Sequence, residues 1–294
     1  SLTSLSGLDN ITSVQGIVRI NRNPELLNLS NLGNLTTIGE NLEIAINDNL
    51  SNLVGLDNLH TIGGTLEIYF NDALIDLTGL NGLTTIGADL KIYQNDSLIS
   101  LAGLNNVTTI SGSLEVNYSL LLNDLSALGN LTIIGGHLSI YDNATLSSLE
   151  GINNINANSI SGLVLLRNSS LTTCAIKSIC DFLASPNDTI WIENNAPGCN
   201  SPEEIEAVCD TIGVFELSDE PELSIYPNPT STHITIETPV ESLLSIMNLN
   251  GKELLKQPIT EPKTVVDIST LPNGIYFVRV TGDKAVHVGM FVKQ

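Results

Sequence analysis

The chain has few positive charges. Its 294 residues include 11 Lys and Arg against 32 Asp and Glu, which gives a formal net charge of −21. Proteins bind a polyphosphate backbone by placing basic side chains against it and releasing counterions. Nucleic acid is therefore excluded as a partner.

Long apolar runs are also absent. No stretch approaches the roughly 20 apolar residues that cross a bilayer as a helix, so the sequence predicts no transmembrane segment. No basic region followed by an apolar region opens the chain, as it would in a secretory signal peptide. Because residue 1 falls inside the repeat described below, we expect an upstream segment, which could include a signal peptide, to have preceded it.

Cysteine is scarce and confined to one part of the chain. The four cysteines, Cys174, Cys180, Cys199 and Cys209, lie within a window of 36 residues. Such clustering at the end of a repeat array favours a disulfide-stapled cap and an oxidising compartment. A zinc site is the alternative, but the window holds neither a Cys-x-x-Cys pair nor a histidine. We expect no metal and no cofactor.

The dominant feature of the sequence is a repeat of 24 residues. A fixed period of this length is typical of a solenoid. Leu and Ile recur at fixed positions every 24 residues, and so does one position that mostly holds a small residue. The column formed by this last position consists of Gly7, Asn31, Gly55, Gly79, Gly103, Ala127 and Gly151.

Each repeat is too interrupted for a helix. Gly and Asn-Asp pairs leave no ten-residue window of helical periodicity, whereas the Leu-x-Ile alternation fits short strands. We therefore predict an all-β solenoid of 24-residue coils, stacked about 4.8 Å apart with Leu and Ile inside. A column of asparagines is expected to bond the backbone at the corners. Its members are Asn23, Asn47, Asn71, Asn95 and Asn143, with Ser119 as an interruption.

Several stretches of the repeat carry a family resemblance. They are LEIYFNDAL (66–74), LKIYQNDSL (90–98) and LTTIG (35–39 and 83–87). Through them, about residues 2–173 resemble leucine-rich repeats of the receptor L-domain type. The resemblance implies a right-handed parallel β-helix that serves as a ligand-binding module, and it implies no particular ligand.

The solenoid domain, residues 1–173, is followed by a cysteine-rich cap, residues 174–217. Within the cap, the sequence Ser-Pro-Glu-Glu at 201–204 predicts the start of a helix. Cys174 and Cys199 lie 25 residues apart, nearly one coil, so stacking would bring their Cα atoms into the disulfide range of about 4.4 to 6.8 Å. We predict the bond Cys174–Cys199, which leaves Cys180–Cys209, although four cysteines permit three pairings.

Residues 218–294 are predicted to form a second domain, joined by a linker near 216–221. Residues 1–217 carry 5 basic and 23 acidic side chains, whereas residues 218–294 carry 6 and 9. Alternating apolar and polar residues, with Asn-Gly turns at 250–251 and 273–274, predict a small Ig-like β-sandwich.

The tail contains four motifs: IYPNPT (225–230), LNGKEL (249–254), LPNGIYFVRV (271–280) and FVKQ (291–294). With them it resembles the type A C-terminal sorting domain of type IX secretion. The resemblance implies contact with the type IX secretion machinery and export through the periplasm of a Gram-negative bacterium, to the medium or the outer cell surface. The residues that carry this secretion signal are Tyr226, Pro227, Asn228, Pro229, Gly251, Asn273, Gly274 and Lys293.

Aromatic residues make up only 4% of the chain, yet the repeat domain concentrates them. If Leu66 and Ile68 face inward, Tyr69 faces outward, and steps of 24 residues align it with other rings. We expect one exposed patch from two adjacent columns, with a further outward ring in the irregular last coil. The candidate ligand-binding residues are Tyr69, Phe70, Tyr93, Tyr118, Tyr141 and Trp191. The alternative is that the rings only stabilise the sheet by stacking.

These observations predict a secreted or cell-surface recognition and adhesion module that binds a glycan or protein ligand and is not an enzyme. No catalytic residues are proposed, because the sequence holds no G-x-S-x-G or H-E-x-x-H motif. One alternative is a carbohydrate-active β-helix, a polysaccharide lyase or hydrolase, which would need three or more carboxylates converging in a groove. A purely structural surface protein is the other.

Overall fold

The computed structural model describes residues 2–185, 189–212, 223–237, 242–249, 251–281 and 286–294. The chain divides into two compact units, residues 1–213 and 214–294. The predicted linker, 216–221, lies outside the described residues.

The first unit is a solenoid with two parallel sheets. A six-stranded sheet takes one two-residue strand from each of the first six coils: β1 (Ser13–Val14), β3 (Thr37–Ile38), β5 (Thr61–Ile62), β7 (Thr85–Ile86), β9 (Thr109–Ile110) and β11 (Ile133–Ile134). An eight-stranded sheet contains β2 (Val18–Asn21), β4 (Leu42–Ala45), β6 (Leu66–Tyr69), β8 (Leu90–Tyr93), β10 (Leu114–Asn117), β12 (His137–Tyr141), β13 (Gly162–Leu166) and β14 (Ile190–Glu193).

The register of both sheets follows the sequence period. Leu66 pairs with Leu90, and Tyr69 pairs with Tyr93. From the second coil on, the inward Leu and Ile columns are buried in one continuous core. The glycine column permits close stacking: Gly79 has a φ of +116°, and a Cβ there would lie 2.0 Å from the carbonyl oxygen of Leu53. The predicted all-β solenoid is therefore confirmed.

A ladder of buried asparagines holds one corner of every coil but one. In the second coil, the Asn47 amide Nδ2 donates to the Ile20 carbonyl at 2.9 Å, and the Asn47 backbone N–H donates to Asn71 Oδ1 at 3.1 Å. The ladder continues through Asn168 and Asn195 in the last coils. From the second coil on, each ladder side chain thus satisfies backbone groups of the preceding coil, which buried polar groups require. Asn47 Nδ2 also donates to the next ladder side chain, at 3.1 Å from Asn71 Oδ1.

The residue before each ladder position has a left-handed backbone conformation with φ between 52° and 58°. Glycine or asparagine suits this conformation, whereas side chains branched at Cβ are strained in it. The residues are Arg22, Ile46, Phe70, Gln94, Tyr118, Asp142, Arg167 and Asn194. The corner geometry is constant, so bulky side chains occupy it at a conformational cost.

The cap closes the solenoid with two helices, α1 (Lys177–Ala184) and α2 (Pro202–Ile212). The structure contains both disulfides that the spacing favours, with Cα separations of 5.9 Å for Cys174–Cys199 and 5.6 Å for Cys180–Cys209. Strand β14 lies between the helices and pairs with β13. The sheet of the solenoid therefore continues into the predicted cap.

The second unit is a sandwich of two antiparallel sheets around one core. The three-stranded sheet contains β15 (Ser224–Tyr226), β16 (His233–Glu237) and β19 (Lys263–Asp267). The four-stranded sheet contains β17 (Ser242–Asn248), β18 (Glu253–Ile259), β20 (Gly274–Thr281) and β21 (Val286–Lys293). Both sheets contribute fully buried side chains, such as Ile236 and Val278.

The break in the asparagine ladder generates a stability prediction. Ser119 is fully buried, and its Oγ has no hydrogen-bond partner. Ser119→Asn should restore the missing bonds and raise the free energy of unfolding by about 1 to 2 kcal/mol, because an unsatisfied buried polar group costs that much. Urea denaturation of both proteins measures the difference, and an unchanged or lower midpoint would contradict the ladder as the stabilising element.

Candidate functional site

The candidate site lies on the outward face of the eight-stranded sheet. Two outward columns run along it, one mostly charged and one partly aromatic. The charged column contains Arg19, Glu43, Glu67, Lys91, Glu115, Ser139, Val164 and Trp191. The aromatic column contains Asn21, Ala45, Tyr69, Tyr93, Asn117, Tyr141, Leu166 and Glu193.

Three rings form a first cluster. Tyr69 and Tyr93 stack with their centroids 4.8 Å apart and their planes at 10°. Phe70, at the left-handed corner, meets Tyr69 edge-on at 5.7 Å and Tyr93 at 6.5 Å. Both tyrosines are half-buried, whereas 42% of Phe70 is exposed. We call these three residues the ring cluster.

Glutamates of the charged column fix the orientation of the tyrosines. The Tyr69 hydroxyl donates to Glu43 Oε1 at 3.2 Å, and the Tyr93 hydroxyl donates to Glu67 Oε1 at 2.9 Å. Each ring therefore leans towards the preceding coil. Burial, followed by the adjacent glutamate, raises the pKa of both hydroxyls above the usual 10. The tyrosines remain neutral donors at physiological pH.

A second group of rings lies further along the same two columns as the ring cluster. Tyr118 and Tyr141 meet edge-on at 5.0 Å. Asn117 occupies the aromatic column between Tyr93 and Tyr141 and is buried, so the column carries no ring at that coil. Burial also raises the pKa of Tyr141, and the neighbouring Tyr118 and Glu115 contribute.

Trp191 is outward and 52% exposed. It pairs with Val164, which pairs with Ser139, and so it extends the charged column instead of the aromatic one. Trp191 therefore lies two coils after Tyr141 and in the neighbouring column. The last two steps along this column are 25 and 27 residues instead of 24. The ligand-binding role of all six aromatic residues stays a prediction.

The charges of this face are largely paired. Arg19 bonds Glu43 at 2.8 Å, Lys91 bonds Glu115 at 3.1 Å, and Arg167 bonds Asp142 at 2.7 Å.

A separate row of exposed aspartates, Asp48, Asp72 and Asp96, follows the asparagine ladder. Burial and the charges of Asp96 and Asp48 raise the pKa of Asp72. Among the described residues, no group of three or more His, Cys, Asp or Glu side chains is arranged to hold a metal ion.

Two distant stretches that hold predicted secretion-signal residues meet in the folded tail. The Asn228 side chain bonds two backbone groups of β21: Nδ2 donates to the Met290 carbonyl at 3.0 Å, and Oδ1 accepts from the Val292 N–H at 2.9 Å. Thr230 forms a parallel bridge with the largely buried Lys293. The IYPNPT motif thus holds the last strand.

The other signal residues lie at turns and on one sheet surface. Gly251, with a φ of +74°, lies between β17 and β18, and Gly274 begins β20 directly after Asn273. The Tyr226 hydroxyl bonds Glu237, which also pairs with Lys263 at 2.7 Å. Pro227 and Pro229 both follow cis peptide bonds.

Comparison with known families agrees with this geometry. Residues 84–207 match the model of the Receptor L domain, and residues 224–294 match that of the Secretion system C-terminal sorting domain. The chain carries a receptor L domain and a type IX sorting domain. A search of the curated proteins found no match.

Both predicted resemblances are confirmed, with different bounds for the first. The receptor L-domain match reaches into the disulfide cap, beyond the expected end at residue 173, and it begins at residue 84 although residues 2–83 form the same kind of coil.

The receptor L domain indicates a ligand-binding role. The sorting domain indicates export, by secretion or to the outer surface, and contact with the secretion machinery. None of the described helices is long and apolar enough to span a membrane.

Sequence reasoning missed the partners of the tyrosines. Glu43 and Glu67 lie 26 residues before the hydroxyls that they bind. The offset is one period plus two residues, and it arises because the rings lean backwards. The period alone aligns strands and carries no information about this lean.

The hydrogen bond from Tyr93 to Glu67 predicts a pH-dependent stability. Because the folded-state pKa of Tyr93 is raised above its unfolded value of about 10, the contribution of the hydroxyl is fully present below pH 10. It is lost as the pH rises through the folded-state pKa. Tyr93→Phe should cost about 1 kcal/mol at pH 7, a figure reduced for solvent access. The cost should shrink above pH 10 in urea denaturation, and a pH-independent difference would refute this role.

The bonds of Asn228 predict an effect on export. Asn228→Ala removes two hydrogen bonds to β21, at about 1 kcal/mol each, and should lower the stability of the sorting domain. The exported fraction, measured in a type IX-competent host, should fall with a corresponding rise in the periplasm. Gln257→Ala, another amide side chain in the same domain, is the control. Equal export of both variants would show that the pinning of β21 is dispensable.

Proposed function

We propose that residues 1–217 form a non-enzymatic extracellular recognition and adhesion module that binds a glycan at the ring cluster. The observation that carries the proposal is the exposed ring of Phe70, held beside two stacked tyrosines. Aromatic rings offer flat apolar surface to the C–H face of a sugar, and nearby polar groups can bond its hydroxyls.

The rigidity of the ring cluster supports this proposal. Tyr69 and Tyr93 are fixed by stacking and by their bonds to Glu43 and Glu67. A ligand that meets fixed side chains loses less conformational entropy on binding. Phe70 also occupies a left-handed corner position that Asn would fit with less strain. A large ring in such a position suggests selection for something other than stability.

The pairing of the carboxylates supports a non-enzymatic role. Glycoside hydrolysis needs one carboxyl group that acts as an acid and a second that acts as a base or nucleophile nearby. Glu43 accepts bonds from Arg19, Asn21 and Tyr69, and Glu115 pairs with Lys91. These contacts engage the carboxylates of the face in structural bonds.

The test is a glycan array with the full chain and the variant Phe70→Asn. Binding should weaken at least tenfold, while the melting temperature should stay equal or rise because Asn suits the left-handed corner. Ile46→Asn is the matched control, because Ile46 occupies the same corner one coil earlier and carries no ring.

Equal binding by wild type and Phe70→Asn would refute the ring cluster as the glycan site. Absence of glycan binding in all three proteins would direct the search to a protein ligand. Turnover of any arrayed polysaccharide, seen as newly released reducing ends, would contradict the non-enzymatic proposal.

A further inference from the structure

The corner of the fifth coil departs from the pattern of its neighbours. In the fourth coil, a polar side chain, the ladder asparagine, an aspartate and a serine follow strand β8. In the fifth coil, the same four positions after β10 hold an aromatic ring, a serine and two leucines. The residues are Gln94, Asn95, Asp96 and Ser97 in the fourth coil and Tyr118, Ser119, Leu120 and Leu121 in the fifth.

The apolar side chains of this corner are exposed. The exposed fractions are 39% for Tyr118, 50% for Leu120 and 49% for Leu121. The next residue, Leu122, is fully buried in the core, so the coil stays in register and the exposed leucines are additional to its packing. Exposed apolar side chains that cluster in this way are candidates for an interaction surface, whereas single ones are ordinary. We call Tyr118, Leu120 and Leu121 the corner patch.

The backbone beneath the patch is fixed. The Thr145 hydroxyl lies within hydrogen-bond distance of two backbone carbonyls of the corner, at 3.0 Å from Leu120 O and 2.9 Å from Leu122 O. The Tyr118 N–H donates to the Tyr141 carbonyl at 3.0 Å, and the Tyr118 ring packs edge-on against Tyr141. The patch is therefore a preformed surface on a rigid corner.

The corner carries this surface at a cost in stability. The ladder asparagine is replaced by Ser119, whose buried Oγ is unpartnered. Tyr118 has a φ of 52°, a strained value for an aromatic residue. The fourth coil shows that Asn, Asp and Ser fit the three positions that Ser119, Leu120 and Leu121 occupy in the fifth. Departures from a local rule without a packing benefit are expected at functional sites.

The surroundings of the patch are acidic. Leu120 continues the row of Asp48, Asp72 and Asp96, and Asp96 lies one coil away, at about 4.8 Å along the stack. The pKa of Asp72 is raised first by burial and then by the like charges of Asp96 and Asp48, so the aspartates of this row repel one another. The nearest basic side chain of the corner column, Arg167, is already paired with Asp142. A cationic group of a partner would be attracted to this row.

We propose that the corner patch is a docking surface for a polypeptide segment of another extracellular protein, one that carries large apolar side chains next to Lys or Arg. The apolar side chains of that segment would cover Leu120 and Leu121, and its cationic groups would approach the aspartate row. This surface goes beyond the proposed glycan site and does not depend on it.

The repeat supplies the variant that tests the proposal. Ser119→Asn, Leu120→Asp and Leu121→Ser together give the fifth corner the polar sequence of the fourth, so this corner variant should fold with an equal or higher melting temperature. It also adds one negative charge. Loss of binding to a cationic segment would therefore be attributable to the lost apolar contacts.

The probe is a phage library of random 12-residue peptides, selected against the full wild-type chain. Enriched peptides should combine large apolar residues with Lys or Arg and should bind the corner variant at least tenfold more weakly. Their affinity should fall between 0.1 and 1 M NaCl, because the Debye length shrinks from about 10 to 3 Å. Phe70→Asn should leave peptide binding unchanged, and the corner variant should leave any glycan binding unchanged.

Three results would overturn the proposal. They are the enrichment of no peptide, equal binding of the enriched peptides to wild type and corner variant, and enriched peptides without basic residues. A wild-type dimer in light scattering that dissociates in the corner variant would assign the patch to a second copy of the chain instead. Loss of glycan binding in the corner variant, with no peptide enriched, would assign the patch to a glycan.

Discussion

The solenoid depends on the hydrogen bonds of its asparagine ladder. A ladder side chain such as Asn47 bonds the backbone of the coil before it and the ladder side chain of the coil after it, so neighbouring coils are held at a fixed spacing and in a fixed rotation. The Leu and Ile columns supply most of the stabilising apolar burial, but apolar contacts are non-directional and would tolerate slippage between coils. The ladder supplies the direction. It fixes which side chains share a column on the outer face, and the candidate sites are consequences of that alignment.

The fixed alignment divides the repeat domain into surfaces with different chemistry. The outer face of the eight-stranded sheet combines charges with tyrosines that are tied to glutamates, so its rings are oriented as well as exposed. The corners present one side chain per coil in a left-handed conformation. Sequence variation at the corners changes the exposed chemistry without changing the fold, which is how a solenoid of constant structure can acquire more than one binding surface.

The period made most of the fold predictable from the sequence. Twenty-four residues per coil gave the strands, their register, the buried columns and the disulfide between Cys174 and Cys199. The prediction was weaker wherever a side chain reaches across coils. The lean of Tyr69 and Tyr93 towards the preceding coil follows from their bonds to Glu43 and Glu67. The aromatic column carries no ring in the fifth coil, because the buried Asn117 occupies that position. The column that holds Trp191 could not be assigned from the period, because the last coils contain extra residues and such insertions hide which positions align.

The bonds of Asn228 bear on how the tail is recognised. Asn228 and Val292 are 64 residues apart in sequence and adjacent in the folded domain. The motifs of the tail that are distant in sequence are therefore adjacent in space. In the folded domain the two stretches form one three-dimensional epitope, which an unfolded tail would not present. A short peptide copied from either stretch would therefore lack half of that epitope.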